Sequence, residues 1–274
     1  MRIWYQSFTV LDDVGTYFAT LRRHLEERVS AGTEISFHGM RPGTYPSSYP
    51  GTHIGYAYLA GLHKEQFVAA ALQAQEEDYD AFFIATIPDT GFEEIRSLID
   101  LPVIAYGNAS VAFAATLAPK VGIVNFIEEL QPQLLRNMNL YGFGELVGPI
   151  VAVGRDFNDI VGAYASPAPL IAAFETAARS AISLGAQVII PGEGPLNVLL
   201  ASNGVNRVDD VPVLDSLGVG IALCEVRARQ YRGAGLRPSR RGFFFATPPA
   251  EAIDDARRRY LADPSPKELG KPGS

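Results

Sequence analysis

The chain has 274 residues, of which 47% are hydrophobic and 19% charged. That composition fits one large α/β unit or two packed halves with a sizeable core. A net charge of -7 without a basic stripe argues against nucleic acid as a partner, and no apolar run reaches the roughly 18 residues of a membrane-spanning helix. The single cysteine, Cys224, excludes an internal disulfide framework and a multi-cysteine zinc site. Met1 leads straight into a strand-like run without a targeting pattern, so a cytoplasmic protein is expected.

In chain order, residues 2–5 read as a strand ending in Gln6, Ser7 and Phe8. Asp12 or Asp13 is placed to cap a helix whose apolar face is Val14, Phe18, Leu21, Leu25 and Val29. A second strand, 34–37, ends at His38. Residues 40–61 are the least regular stretch, with Tyr45, Tyr49, His53, Tyr56 and Tyr58 among prolines and serines, and read as a loop able to close over a small ligand. A helix at 67–75 precedes the buried strand AFFIA at 81–85, which ends in a turn containing Thr86, Asp89, Thr90 and Gly91. A helix at 92–99, a strand at 101–105 ending in Tyr106, Gly107 and Asn108, and a small-residue helix at 109–117 complete this half.

From Lys120 the pattern starts again. The strand VGIV at 121–124 ends in Asn125 and Phe126, as the first strand ends in Gln6 and Ser7. A helix with Pro132 near its start, a strand at 150–153, and a short helix capped by Asp156 or Asn158 follow. A long amphipathic helix at 170–184 stops at Gly185. The stretch QVIIPGEGPLNVLL at 187–200 is then a strand, a tight turn and a helix start, with Glu193 at the tip of the turn, and a strand at 211–214 closes the repeat.

Strands alternating with helices imply parallel βαβ units, here two pseudo-symmetric α/β halves with a cleft between them. The expected division is 1–115 plus 217–262 for the first domain, 116–216 for the second, and a flexible tail at 263–274. Facing halves would aim the Thr86 turn and the Glu193 turn, each at a helix N-terminus, into one cleft suited to a carboxylate or an enolate. Taken locally, Glu193 has two readings, a solvated first-turn acid or a general acid/base. The sequence G-E-G-P-L-N lacks the third glycine of a dinucleotide fingerprint, no phosphate-loop lysine motif occurs, and the four histidines have no ligand spacing. No cofactor and no metal are expected.

At DAFFIATIPDTGF (80–92), LPVIAYGNAS (101–110), VGIVNF (121–126), GAQVIIPGEGPL (185–196) and VPVLDSLGVGIAL (211–223), the chain resembles the aspartate/glutamate racemase superfamily, and most of all the hydantoin racemases. The resemblance implies a homo-oligomer and a site with one cysteine from each half, one removing a proton next to a carbonyl and the other returning it. Thr86 and Glu193 stand at those two positions here, while Asp89 and Gly91 keep the family pattern. The resemblance thus implies an asymmetric site, with Glu193 exchanging a proton and Thr86 donating a hydrogen bond. Malonate-decarboxylating relatives keep only one of the two cysteines, which fits a lyase. Cys224, on the apolar stretch GIALCEV, reads as a packing residue.

Three functions follow as expectations. The first is a cofactor-independent isomerase or lyase for a small carbonyl or carboxylate substrate; the second is a hydrolase of a small amide or cyclic imide using a Glu193-activated water. The third is a binding protein without activity. Ser7, Thr86, Thr90, Asn125 and the N–H groups of Gly194 and Leu196 are candidates for an anion hole. Gln6, Tyr45, Tyr49, His53 and Tyr106 are candidates to shape the pocket, with Asp89 beside them and His38 as a second acid or base.

Overall fold

The computed structural model describes residues 1–47, 50–242 and 245–261. The expected pocket residue Tyr49 and the expected tail at 263–274 lie outside the described residues. Strands β1 (Arg2–Gln6), β2 (Glu34–His38), β3 (Ala81–Ile84) and β4 (Val103–Ala105) form one parallel sheet in the order β2-β1-β3-β4. Strands β5 (Val121–Asn125), β6 (Val147–Ala152) and β7 (Val188–Pro191) form a second parallel sheet in the order β6-β5-β7. The strands β3, β5 and β7 are buried at every residue, as continuous apolar runs covered on both faces must be. Half-buried β6 is an edge strand and so tolerates Pro149, which has no N–H for a ladder.

The helices are α1 (Gly15–Glu26), α2 (Gly51–Ile54), α3 (Ala57–Glu76), α4 (Phe92–Leu98), α5 (Tyr106–Ala114), α6 (Gln131–Leu140), α7 (Phe157–Gly162), α8 (Ala168–Ser183), α9 (Gly194–Ser202), α10 (Ser216–Ala234) and α11 (Ala250–Leu261). The last strand of the second half is reduced from its expected length. Arg207–Val208 (β8) and Val211–Pro212 (β9) pair antiparallel with each other, and the run meets the second sheet at Ile189, through one parallel bridge to Val213 and a Leu214 N–H bond to the Ile189 carbonyl (2.8 Å). Pro212, without an N–H, cannot extend that pairing toward the N-terminus.

Other boundaries also differ from expectation. Neither Asp12 nor Asp13 caps α1; both lie in a 3-10 turn, and Val14 occupies the N-cap without a side-chain bond. The stretch 40–61 holds α2 and the start of α3, which begins ten residues before the expected 67. Its first turns leave Tyr58 and Leu62 exposed, so they carry no buried stripe from which a helical period is read. α5 starts directly at the end of β4, taking in Tyr106 to Asn108. Asp156 does cap α7 through a capping box, and Gly185 (φ 103) follows the end of α8.

The halves are sewn together at the strand ends that build the site. The Tyr106 hydroxyl, at the start of α5, donates to the Pro191 carbonyl at the end of β7 (2.6 Å), and Asn137 Nδ2 of α6 donates to the Pro88 carbonyl (2.8 Å). α10 returns from the second half to pack on β3 and β4, where Gly220 lets Phe83 approach so closely that a Cβ would fall 2.2 Å from its ring. Cys224 is buried in the same helix.

Candidate active site

Glu193 follows β7 and is the N-cap residue of α9, in extended conformation (φ -127, ψ 158), yet its side chain does not cap its own helix. It turns toward the end of β5 instead, where Oε2 accepts from the Phe126 N–H at 3.3 Å and the Ile127 N–H adds a second bond. The adjacent Gly192 is required by close approach, because a Cβ there would sit 2.5 Å from Asn125 Cβ. The residue is 7% exposed, and Oε1 is buried without a partner among the described residues. Burial pushes the carboxyl up to about 8, against the pull of the Phe126 and Ile127 N–H groups. The reading of Glu193 as a solvated first-turn acid is therefore corrected.

Glu193 lines a cavity of about 40 Å³ at the seam between the halves. Ser7, Phe8, Thr9 and Tyr17 reach it from the first half, as do Ala85 and Thr86 just past β3. Phe126, Ile127 and Phe157 supply an apolar wall from the second half, and Gly194 and Pro195 form the floor at the start of α9. Pro50 and Ile54, at α2, cover it. A space of this size holds a few waters. Ser7 Oγ accepts the Thr9 N–H at 3.0 Å, which leaves its proton free to donate. Among the described residues, no Lys, Arg or His lines the cavity.

The expected residues divide cleanly in position. Ser7, Thr86, Glu193 and Gly194 come together around the cavity, whereas Gln6, Asp89, Thr90, Asn125, Leu196, Tyr106, Tyr45, His53 and His38 are outside its lining. Most of the latter have structural partners. Gln6 accepts from Trp4 Nε1 (3.0 Å) and donates to the carbonyls of Ser7 and Gly39 (3.2 and 3.1 Å). Asp89, held at φ 52, accepts the N–H groups of Gly107 (2.6 Å) and Asn108 (2.8 Å) and so anchors the start of α5. Burial raises its carboxyl to about 7 against those two bonds and a third from Tyr141. Asn125 closes its own turn on the Ile127 carbonyl (2.7 Å). The Tyr45 hydroxyl donates to the Phe8 carbonyl (2.9 Å), while His53 Nδ1 and His63 Nε2 share a hydrogen bond of 2.9 Å. His38 stacks on Trp4, with ring centroids 3.6 Å apart.

Tyr17, Thr9, Ile54 and Phe157 were not expected in the site. Tyr17 carries a signal in the sequence, since Val14, Tyr17, Leu21 and Leu25 repeat at helical spacing and all four are buried. Among the described residues no group of three or more His, Cys, Asp or Glu is placed to hold a metal ion, and no helix is long and apolar enough to cross a membrane.

The sequence matches the Asp/Glu/Hydantoin racemase family. The chain belongs to that family, whose model matches residues 46–224. Among solved structures it is similar to the allantoin racemase from Klebsiella pneumoniae, at 18% identity and a TM-score of 0.73 over 90% of this chain and 94% of that one. It is similar also to the allantoin racemase from Pseudomonas fluorescens, at 20% identity and a TM-score of 0.73 over 90% and 97%. A mutant arylmalonate decarboxylase in its liganded form shares the fold at 16% identity and a TM-score of 0.56, over 89% and 98%. No curated protein sequence matches.

Proposed function

We propose that the protein is a cofactor-independent isomerase or lyase that moves a proton at a carbon next to a carbonyl or carboxylate of a small molecule, with Glu193 as general acid/base. One observation carries this reading: Glu193 Oε1 is buried, without a partner among the described residues, and at the wall of a cavity, on a carboxyl raised to about 8. Supporting it, the family resemblance sets Glu193 and Thr86 where two thiols act in relatives. A threonine hydroxyl is too weak a base to mirror a carboxylate, so the site favours a one-sided reaction. Thr86 and Ser7 then donate hydrogen bonds to the developing enolate, and the first N–H groups of α9 add their partial positive charge. Phe8, Ile54, Phe126 and Phe157 suit an apolar or aromatic substituent.

The test is α-proton exchange of 5-benzylhydantoin in D₂O by NMR, beside CO₂ release from phenylmalonate. Glu193→Gln is expected to lower the active reaction by about 10²–10⁴-fold while ligand-induced thermal stabilisation persists. Near-normal turnover in that variant refutes the reading.

A further inference from the structure

We propose that Tyr17 is a second catalytic residue, a hydrogen-bond donor to the substrate oxygen that becomes negative when Glu193 takes the proton. This rests on the reading of Glu193 given above. Tyr17 comes from α1 in the first half, and Glu193 from the second. Its side chain nevertheless reaches the start of α9, where its hydroxyl lies 3.1 Å from the point at which a Cβ on Gly194 would sit. A glycine beside Glu193 thus makes room for the phenol at the floor of the cavity.

The placement is fixed from two sides. The Tyr17 ring packs on Tyr164 at 5.7 Å between centroids, and the Tyr164 hydroxyl donates to the Pro195 carbonyl at 2.7 Å, so the ring and the first turn of α9 are held by the same neighbour. The Tyr5 hydroxyl, buried and without a hydrogen-bond partner among the described residues, is near enough to interact with that of Tyr17. Burial drives this phenol well above its ordinary range, which keeps it protonated and makes it a donor rather than a base. The Tyr17 hydroxyl shares the cavity lining with Glu193, Thr86 and Ser7, the polar groups of the site.

The step balances without another reactant. The Glu193 carboxylate takes the proton from carbon, the C–H electron pair becomes the C=C bond of the enolate, and the carbonyl π pair moves onto oxygen. The Tyr17 O–H and the Gly194 N–H, at the first turn of α9, stabilise that oxygen, and Tyr17 keeps its proton throughout. When the Glu193 carboxylic acid gives the proton back to carbon, the charge collapses and the site is restored.

The experiment measures kcat and KM for exchange of 5-benzylhydantoin and decarboxylation of phenylmalonate in the wild type, Tyr17→Phe and Glu193→Gln. Tyr17→Phe is expected to lower kcat by about 10²-fold with KM changed less than about threefold, and with an unchanged circular dichroism spectrum. Full kcat in Tyr17→Phe beside an inactive Glu193→Gln overturns the role of Tyr17 and leaves that of Glu193 standing. Full activity in Glu193→Gln, or none in the wild type on either compound, overturns both. Should Tyr17→Phe misfold, 3-fluorotyrosine at this position keeps the volume and makes a stronger donor. A kcat raised about twofold or more then supports the proposal, and an unmoved kcat overturns it.

Discussion

Glu193 occupies a place where its charged form is unfavourable, and that gives activity and stability opposite responses to pH. With the carboxyl raised to about 8, only a minor fraction is ionised at pH 7. A rate that needs Glu193 as base therefore rises as pH increases through about 8, whereas a rate that needs it as acid, as in protonating the carbanion left by decarboxylation, falls over the same range. Stability runs the other way from the base-driven rate. The folded value lies above the ordinary 4.5, so the contribution is complete below about 4.5 and is lost as pH rises toward about 8, at ~1.4 kcal/mol per pH unit. Glu193→Gln, which carries no charge, should match the wild type at pH 5 and exceed its melting temperature at pH 9. Thermal melts at the two values check this, and a variant no more stable at pH 9 than the wild type contradicts the buried ionisation.

Single elements show why some of the site was legible and some was not. Thr86 and Glu193 were found because each ends a continuous apolar strand in a repeated order, a pattern local in sequence. Asp89 belongs to the same turn and read as a pocket residue, but its partners are Gly107 and Asn108, contacts across 18 and 19 residues that no local period reveals. Its role is to hold α5. Asp89→Ala removes two short bonds to backbone N–H groups and places a Cβ residue without a polar side chain at φ 52, so a loss of about 2–3 kcal/mol is expected in urea unfolding. Tyr17 is hidden in the sequence for the opposite reason. Its helical spacing was visible, but its chemistry depends on reaching Gly194 across the seam. The stretch 40–61 hid α2 and the start of α3 because exposed helical turns leave little pattern to read.

At the scale of the whole molecule, charged groups as well as core packing cross the seam between the halves. Asp215 caps α10 through the Gly218 N–H and also meets His24 Nε2 (3.0 Å) and Arg28 Nε (2.7 Å) of the first half. Burial alone would raise its carboxyl, but His24, Gly218 and Arg28 together hold it below the ordinary value. Glu225 of α10 is likewise held low, with burial outweighed by Thr33 and Ser30. Carboxyls lowered in this way contribute stability above the ordinary carboxylate range and lose it as pH falls through their folded values. Glu193, raised to about 8, and Asp89, raised to about 7, lose theirs as pH rises. Stability should therefore peak between the two limbs. Asp215→Asn is expected to flatten the acid limb and leave the alkaline one, while Glu193→Gln does the reverse in part, with Asp89 supplying the remainder. Trp4, the single tryptophan, reports on the first sheet alone. Its fluorescence and the far-ultraviolet circular dichroism should melt together at every pH on the dome, because α10 ties that sheet to the second half. Two separated transitions in the wild type would show that the cross-seam contacts are too weak to couple the halves.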